Sequence, residues 1–377
     1  MNQIVFVETA KQLKQFIDFP HDLYNDDPNY VPELFIAQRD LLTPGKHPFH
    51  ENGEIKKMIA VDDNGKVVGR IAAILNKTHN KFNNSNDGFF GFFDCINDES
   101  VADLLLSAAE KWLKEKGVTG KILGPVNPST NETCGLLVEG FHSPAKVMMT
   151  YNKPYYQAFI EKAGYTKQTD ILAYLFDMSD YNDTRVRKLQ ALMQEKLARR
   201  NITIRHINIK DFKNEAKKIR EVYNSAWDKN LGFSPMTDVE FDYAAKDMKM
   251  ILDPDFGFVA EHEGKIIGFA LALPNINEVL AKVKRGRLFP TGLFKLLTQK
   301  NKVTSMRILL LGVIEGYRKI GIETSFYTGI TDSVLKKNKV KFVEASWVLE
   351  NNILMRKAIE NINGKVDKRY RIYEKAL

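Results

Sequence analysis

The residues with the most evident chemistry stand in one short turn, Tyr317-Arg318-Lys319-Ile320-Gly321-Ile322, between the apolar run beginning at Arg307 and an amphipathic stretch ending near Lys337. The pattern predicts a strand, a turn and then a helix. Amide N–H groups in such a turn and in the first helical turn lack partners, and the helix dipole favours an anion there. Gly321 allows the backbone to approach a ligand closely, while Arg318 and Lys319 bring positive charge. The chemistry is phosphate binding. The same residues also read as an ordinary strand–turn–helix with a basic turn, and Glu323 places an acid beside the expected phosphates.

A second set follows in Ala345–Asn352, ASWVLENN. Glu350 there has the chemistry of a general base, with Asn352 beside it at the start of a helix. Helix capping accounts for the same residue types, since Asn and Glu at a helix start satisfy orphan amides and the dipole. A third set, Asn152, Tyr155 and Tyr156, also precedes a helix, with Pro154 in its first turn. Other chemistries lack support. There is no Gly-x-Ser-x-Gly elbow, no Walker motif and no His-x-x-x-His pair. Cys95 and Cys134 lack metal-ligand spacing and read as free thiols, so no metal is expected.

These groups need elements to hold them. The chain has 377 residues, 44% hydrophobic and 27% charged, which is globular and long enough for two domains. No signal peptide or bilayer-spanning run is expected, so the placement predicted is cytoplasmic. A net charge of +8 suits anionic ligands without choosing among them. The organisation comes from an internal repeat. VDDNGKVVGRIAAI at Val61–Ile74 returns as VAEHEGKIIGFALAL at Val259–Leu273, with Gly65 and Gly69 matching Gly264 and Gly268, both 199 residues on. Both segments predict a β-hairpin. Gly164 and Gly364 end matching helices, and Ile171–Tyr174 matches Tyr370–Tyr373. A shared spacing at several points implies two copies of one domain. The expected bounds are 1–180 and 202–377, joined by the helical stretch Thr184–Arg200. Each copy predicts an α/β (α+β) unit, a mixed, largely antiparallel sheet flanked by helices.

The turn at Arg318 resembles the pyrophosphate loop of the GCN5-related N-acetyltransferases (GNAT superfamily), Arg/Gln-x-x-Gly-x-Gly/Ala, here Arg318-x-x-Gly321-x-Glu323. The element order of each copy is also that of the family, so the resemblance covers nearly the whole chain as a tandem. It implies an acyltransferase that takes acetyl-CoA or a longer acyl-CoA and passes the acyl group to an amine. It further implies that Arg318, Lys319, Ile320, Gly321 and Ile322 hold the phosphates, that Leu311 and Val313 offer backbone groups to the pantetheine arm, and that Glu350 and Asn352 lie near the thioester. The Tyr that the family often carries on the last helix is replaced by Ile359. In the first copy Asp94, Asp98 and Glu99 replace the basic residues, so phosphate is expected to be repelled there. Tyr155 and Tyr156 are expected to wall an acceptor.

Ala281–Lys302, AKVKRGRLFPTGLFKLLTQKNK, is basic, free of acids and interleaved with Phe and Leu. It reads as a membrane-interface segment, which points to a long-chain acyl donor or a hydrophobic amine, or as a cationic lid or a piece of core helix, or as a set of cations for CoA phosphates. Two other functions fit the same fold. One is an aminoacyl-tRNA-dependent transferase of Fem type, with RNA on the basic insertion. The other is a non-catalytic acyl-CoA-binding protein.

Overall fold

The structure is a computed structural model that describes residues 2–182, 184–227 and 232–377. The first half carries β1 (Gln3–Phe6), α1 (Ala10–Leu23), α2 (Phe35–Leu41), α3 (Phe49–Asn52), β2 (Gly53–Val61), β3 (Val67–Asn76), α4 (Lys77–Asn83), β4 (Gly88–Cys95), α5 (Glu99–Glu115), β5 (Lys121–Gly124), β6 (Val126–Asn127), β7 (Thr133–Cys134), β8 (Leu136–Glu139), α6 (Tyr156–Lys162) and β9 (Thr166–Asp177). Helix α7 (Thr184–Ala198) follows, then β10 (Ile202–His206), α8 (Phe212–Ala226), α9 (Asp238–Ile251), β11 (Gly257–His262), β12 (Lys265–Pro274), α10 (Asn277–Leu280), α11 (Gly292–Gln299), β13 (Ser305–Val313), α12 (Ile322–Lys337), β14 (Phe342–Leu349), α13 (Ile353–Glu360) and β15 (Lys365–Ala376). Among the described residues, no helix is long and apolar enough to cross a membrane.

The chain divides into two compact units. One holds Met1–Ile171, Val279–Leu297 and Lys368–Leu377, and the other holds Leu172–Glu278 and Thr298–Asp367. The sequence boundaries of 1–180 and 202–377 followed chain order, whereas the first unit takes two segments from the second half. Charge and strand pairing explain both. Arg285 reaches Asp22 at 2.5 Å and Arg287 reaches Asp18 at 2.8 Å, which ties the insertion to α1. The guanidinium of Arg287 also lies 3.4 Å from the ring centroid of Phe35. The end of β15 pairs antiparallel with β5, from Tyr373↔Gly124 to Ala376↔Lys121.

Within the first unit the strands run β1, β2, β3, β4, β5, β15, and within the second β9, β14, β13, β12, β11, β10. The neighbour pairs β4–β5 and β13–β14 are parallel, while the two repeated hairpins are antiparallel. The repeat is explicit in the backbone. Gly65 and Gly264 take φ of +74° and +76° at the two hairpin turns, where a side chain would be strained. The register shifts at Ala60/Val61 in one hairpin and at Ala260/Glu261 in the other, so the bulges match as well.

Each unit packs its parallel-strand helix onto the sheet through an apolar stripe. On α5 this stripe includes Val101, Leu105, Ala109 and Leu113, all fully buried. On α12 it is Ile322, Phe326, Ile330 and Val334, spaced four apart so that one face meets the strands. That spacing fixes where the start of α12 points, and hence where the turn before it lies.

Candidate active site

The second unit contains a wedge between β13 and β14. These strands pair from Ser305↔Phe342 to Ile308↔Ala345, where the ladder ends. On its other side β13 stays paired with β12, but the register slips there. Leu271 faces Leu310 and Ala272 faces Ile308, so Leu309 is an extra residue. A bulge bends its strand and increases the local twist, which separates β13 from β14 beyond Ile308. Leu309, Leu310 and Leu311 are half-buried, although their neighbours on the strand are buried. Leu311 and Val313 therefore lie on the open side of the split, where a ligand arm would run along β13.

The turn closes the mouth of this wedge. Gly321 caps α12 with φ +111°, and no side chain caps the helix start. The first amides of α12 are therefore left for an anion. Ile320 and Ile322 are buried and anchor the turn, and Lys319 takes φ +62°. Arg318 behaves differently from the sequence reading. Its Nε donates to the Val313 carbonyl at 2.9 Å and its Nη2 to the Ala226 carbonyl at 3.0 Å. It braces the turn against β13 and α8 by hydrogen bonds to protein carbonyls. Glu323 Oε1 accepts the Lys319 N–H at 3.2 Å, placing a carboxylate on a loop amide. Gly321 has a second duty. A Cβ there would lie 2.6 Å from the Cβ of Met193 on α7. A bulky residue at 321 would thus disturb packing as well as ligand approach.

Beyond the wedge, Asn352 caps α13 and its side chain accepts the Met355 N–H at 3.2 Å. Asn352 is exposed and acts here as a cap. Glu350 is half-buried at the end of β14, and its carbonyl accepts from Arg356 Nη1 at 2.9 Å. Sequence reasoning missed a group at the vertex itself. Arg307 and Glu344 are register partners, 2% and 0% exposed, on the strand face opposite Ile308 and Ala345. Arg307 Nε donates to Ser346 Oγ at 2.8 Å, and Ser346 donates to Glu344 at 2.7 Å. The signal was present, as charged residues interrupting the apolar runs RILLLGV and FVEASWVL. Ser346 thus links a buried guanidinium to a buried carboxylate.

The first unit shows the same split, but filled. β4 and β5 pair at Gly88↔Ile122 and Phe89↔Leu123. Beyond these, Asn127 Oδ1 accepts the Phe92 N–H at 2.6 Å, and a Cβ on Gly91 would sit 1.9 Å from the Val126 carbonyl. Val126–Asn127 thus occupies the space that is open in the second unit. The start of α5 is also taken. Asp98 caps it, accepting from Ser100 N at 2.9 Å and from Ser100 Oγ at 2.7 Å. The Ser100 hydroxyl and then the nearby amides hold this carboxyl below its usual range. Asp94 faces inward to Arg70 at 2.8 Å and to the Tyr24 hydroxyl at 2.8 Å.

Tyr155 and Tyr156 belong to this closed end. Tyr155 donates to the Cys95 carbonyl at 2.9 Å, and the Tyr156 hydroxyl accepts the Cys95 N–H at 2.8 Å. Tyr156 is 0% exposed, so it is a core residue that fastens the end of β4 and not part of an acceptor wall. In the insertion, Phe289, Phe294 and Leu297 are 74%, 70% and 61% exposed, a concentration of apolar surface beside basic side chains.

A bulged strand split from its parallel neighbour, with a helix start at the mouth, is the arrangement of the GNAT fold, and its repetition makes this a tandem GNAT fold. Comparison with known proteins agrees. A tandem GNAT protein from the clavulanic acid biosynthesis pathway superposes with a TM-score of 0.59 at 12% identity, covering 100% of this chain and 98% of its own. A GCN5-related N-acetyltransferase from Sphaerobacter thermophilus gives 0.52 at 11% identity, over 99% and 95%. No family model matches. Protein YghO of Escherichia coli is 38% identical over 97% of this chain and 93% of its own length. The bacterial ceramide synthase of Caulobacter vibrioides is 34% identical over 99% and 97%. The chain belongs to the family that contains these two proteins, and it has the fold of the tandem GNAT proteins.

Proposed function

We propose that the chain is an acyl-CoA-dependent N-acyltransferase whose donor lies in the wedge of the second unit and whose acceptor is a long-chain amine. The carrying observation is the split of β13 from β14 at Ile308, facing an uncapped α12. The phosphates of the donor lie on the turn Arg318–Ile322, and the pantetheine arm follows the backbone of Leu311 and Val313. Five residues of strand separate Val313 from Ile308, about 17 Å at the usual rise. That length brings the thioester toward the vertex.

The amine nitrogen attacks the thioester carbonyl, the C–S bond breaks, and the CoA thiolate leaves with the proton that the amine gives up. Glu350, the half-buried carboxylate at the end of β14, is the base for that proton, directly or through a water. Asn352 fixes the start of α13 beside it. Holding donor and amine together supplies much of the rate. Arg307, Ser346 and Glu344 keep the vertex rigid beneath the reacting atoms. The first domain copy is structural, since Val126–Asn127 and Asp98 take the places of arm and phosphate.

A lipid acceptor is supported by two facts. One relative bears the name ceramide synthase, and a ceramide is the amide of a long-chain amino alcohol. The exposed Phe289, Phe294 and Leu297 beside lysines suit a peripheral contact with an anionic bilayer from which such an amine is drawn. The test is to incubate the pure protein with palmitoyl-CoA and sphinganine, reading free thiol and amide product together. Equal release of both is expected. Thiol release without amide means another acceptor. No thiol release with any CoA thioester overturns the reading, and activity with aminoacyl-tRNA in place of CoA moves the protein to the Fem type.

A further inference from the structure

The second unit holds an apolar cavity of about 30 Å³ beneath α12. Its walls include Ile308 of β13, Val343 of β14, Ile330 and Val334 of α12, and Phe176 and Ile362. At its edge the hydroxyls of Tyr181 and Thr331 share a hydrogen bond of 3.2 Å, and the Tyr327 side chain also borders it. Thr331 Oγ1 also lies 2.9 Å from the Tyr327 carbonyl. A cavity of this size has room for roughly two waters, but a water needs two to four polar partners and an apolar cavity stays dry. The space therefore suits hydrocarbon.

Its position makes the occupant specific. Ile308 is the last paired residue of β13, so the cavity begins at the vertex where the wedge ends. Arg307 and Glu344 fill the opposite strand face at that level, whereas Ile308 and Val343 face α12. Along α12, Ile330 lies eight residues and Val334 twelve beyond Ile322, about 12 and 18 Å from the helix start. A donor entering with its phosphates at Gly321 and its arm along β13 reaches the vertex with its acyl group. The chain of that group would then continue in the same direction, under α12, away from the phosphates.

We propose that this cavity seats the far part of the donor's fatty acyl chain and sets the chain length that the protein accepts. The proposal rests on the acyl-CoA reading of the wedge and adds the class of donor, a medium- or long-chain acyl thioester. A short acetyl group would stop at the vertex and leave the cavity lined by groups without partners on one side. Each methylene that enters gains about 0.8 kcal/mol. An induced widening by the chain is expected, because Met178, Tyr181 and Tyr327 at the cavity are only partly buried.

The test compares melting-point shifts and Kd for CoA, acetyl-CoA, octanoyl-CoA and palmitoyl-CoA on the whole chain. The parent is expected to bind the longer thioesters at least tenfold tighter than acetyl-CoA. Val343→Phe, which fills the cavity, should remove that preference and leave CoA affinity within about twofold. Ile330→Ala, which enlarges it, should move the optimum to longer chains, and it serves if Val343→Phe does not fold. Equal binding of all four ligands by the parent, or an unchanged preference in both variants, overturns the cavity proposal while leaving the wedge intact. Failure of CoA itself to bind overturns both. Detergent-like binding of palmitoyl-CoA, recognised by its persistence in Val343→Phe, also counts against the cavity.

Discussion

Replacing Glu323 by glutamine should make the protein bind CoA more tightly. The carboxylate accepts the Lys319 N–H at 3.2 Å, in the turn where the phosphates are placed. A phosphate bound at the helix start would lie on the order of 5 Å from it. At that distance two like charges repel by about 3 kcal/mol at an effective dielectric near 20, and by under 1 kcal/mol in water. Glu323 is half-buried, so about 1–2 kcal/mol is appropriate, which is a five- to thirtyfold fall in Kd. Glutamine keeps an acceptor for Lys319, so the turn should hold its shape, and the loss of charge near the helix N-terminus costs at most about 1 kcal/mol of stability. Calorimetric titration of CoA into parent and Glu323→Gln reads the effect directly. The gain should shrink as salt rises, because the Debye length falls from about 10 Å at 0.1 M to about 3 Å at 1 M. An unchanged or weaker Kd would mean that the phosphates do not lie on this turn, and the phosphate assignment would fall.

Three further outcomes are expected. Arg318→Ala should weaken CoA binding about tenfold or more and lower the melting point, because the side chain holds the Val313 and Ala226 carbonyls by charge-assisted hydrogen bonds, each worth about 1.5–3 kcal/mol. Asp98→Ala should cost about 1 kcal/mol of stability by loss of a helix cap and leave CoA affinity unchanged, which titration and thermal melts can separate. His21 should make stability depend on pH. Burial and then the Arg70 guanidinium hold its imidazole down to about 4, below its unfolded value of 6.5. Above pH 6.5 both states are neutral and the contribution is intact. As pH falls from about 6.5 toward 4 the unfolded chain takes up a proton that the folded one refuses, so stability is lost, on the order of 3 kcal/mol in full. Melts of the parent between pH 7.5 and 4 should fall more steeply than those of His21→Gln, and equal slopes would show that this imidazole protonates freely in the fold.

How much of this was legible from sequence varies with the range of the interaction. The hairpins at Gly65 and Gly264 were readable because turn chemistry is local and both glycines carry positive φ. The turn at Gly321 was readable for the same reason. The bulge at Leu309 was not, since one extra residue in a run of leucines leaves no mark on composition. The filling of the first split by Asn127 also escaped, because it depends on a contact between segments far apart in sequence. Ala281–Lys302 looked like part of the second copy until the pairs of Arg285 and Arg287 with Asp22 and Asp18 showed where it packs. Tyr156 shows the converse error, because residue type suggested an acceptor wall while the side chain is buried on the Cys95 backbone; Arg318 is also bonded to backbone carbonyls, within the turn itself.

The path of β15 carries a consequence for how the chain is made. The first unit has β5 paired to Tyr373–Ala376, and Lys121 bonds to Glu374 across a separation of 253 residues. A ribosome adding about 5–20 residues per second needs roughly 13–50 s between those two points. Throughout that interval the nascent first unit carries β5 with an open edge, and an open edge is a template for pairing with a neighbouring chain on the same message. Translation speed and chaperone supply, more than the stability of the finished fold, should then decide how much of this protein reaches its native state, and a severed first half, which lacks both the β15 edge and the core residue Tyr373, should accumulate as aggregate.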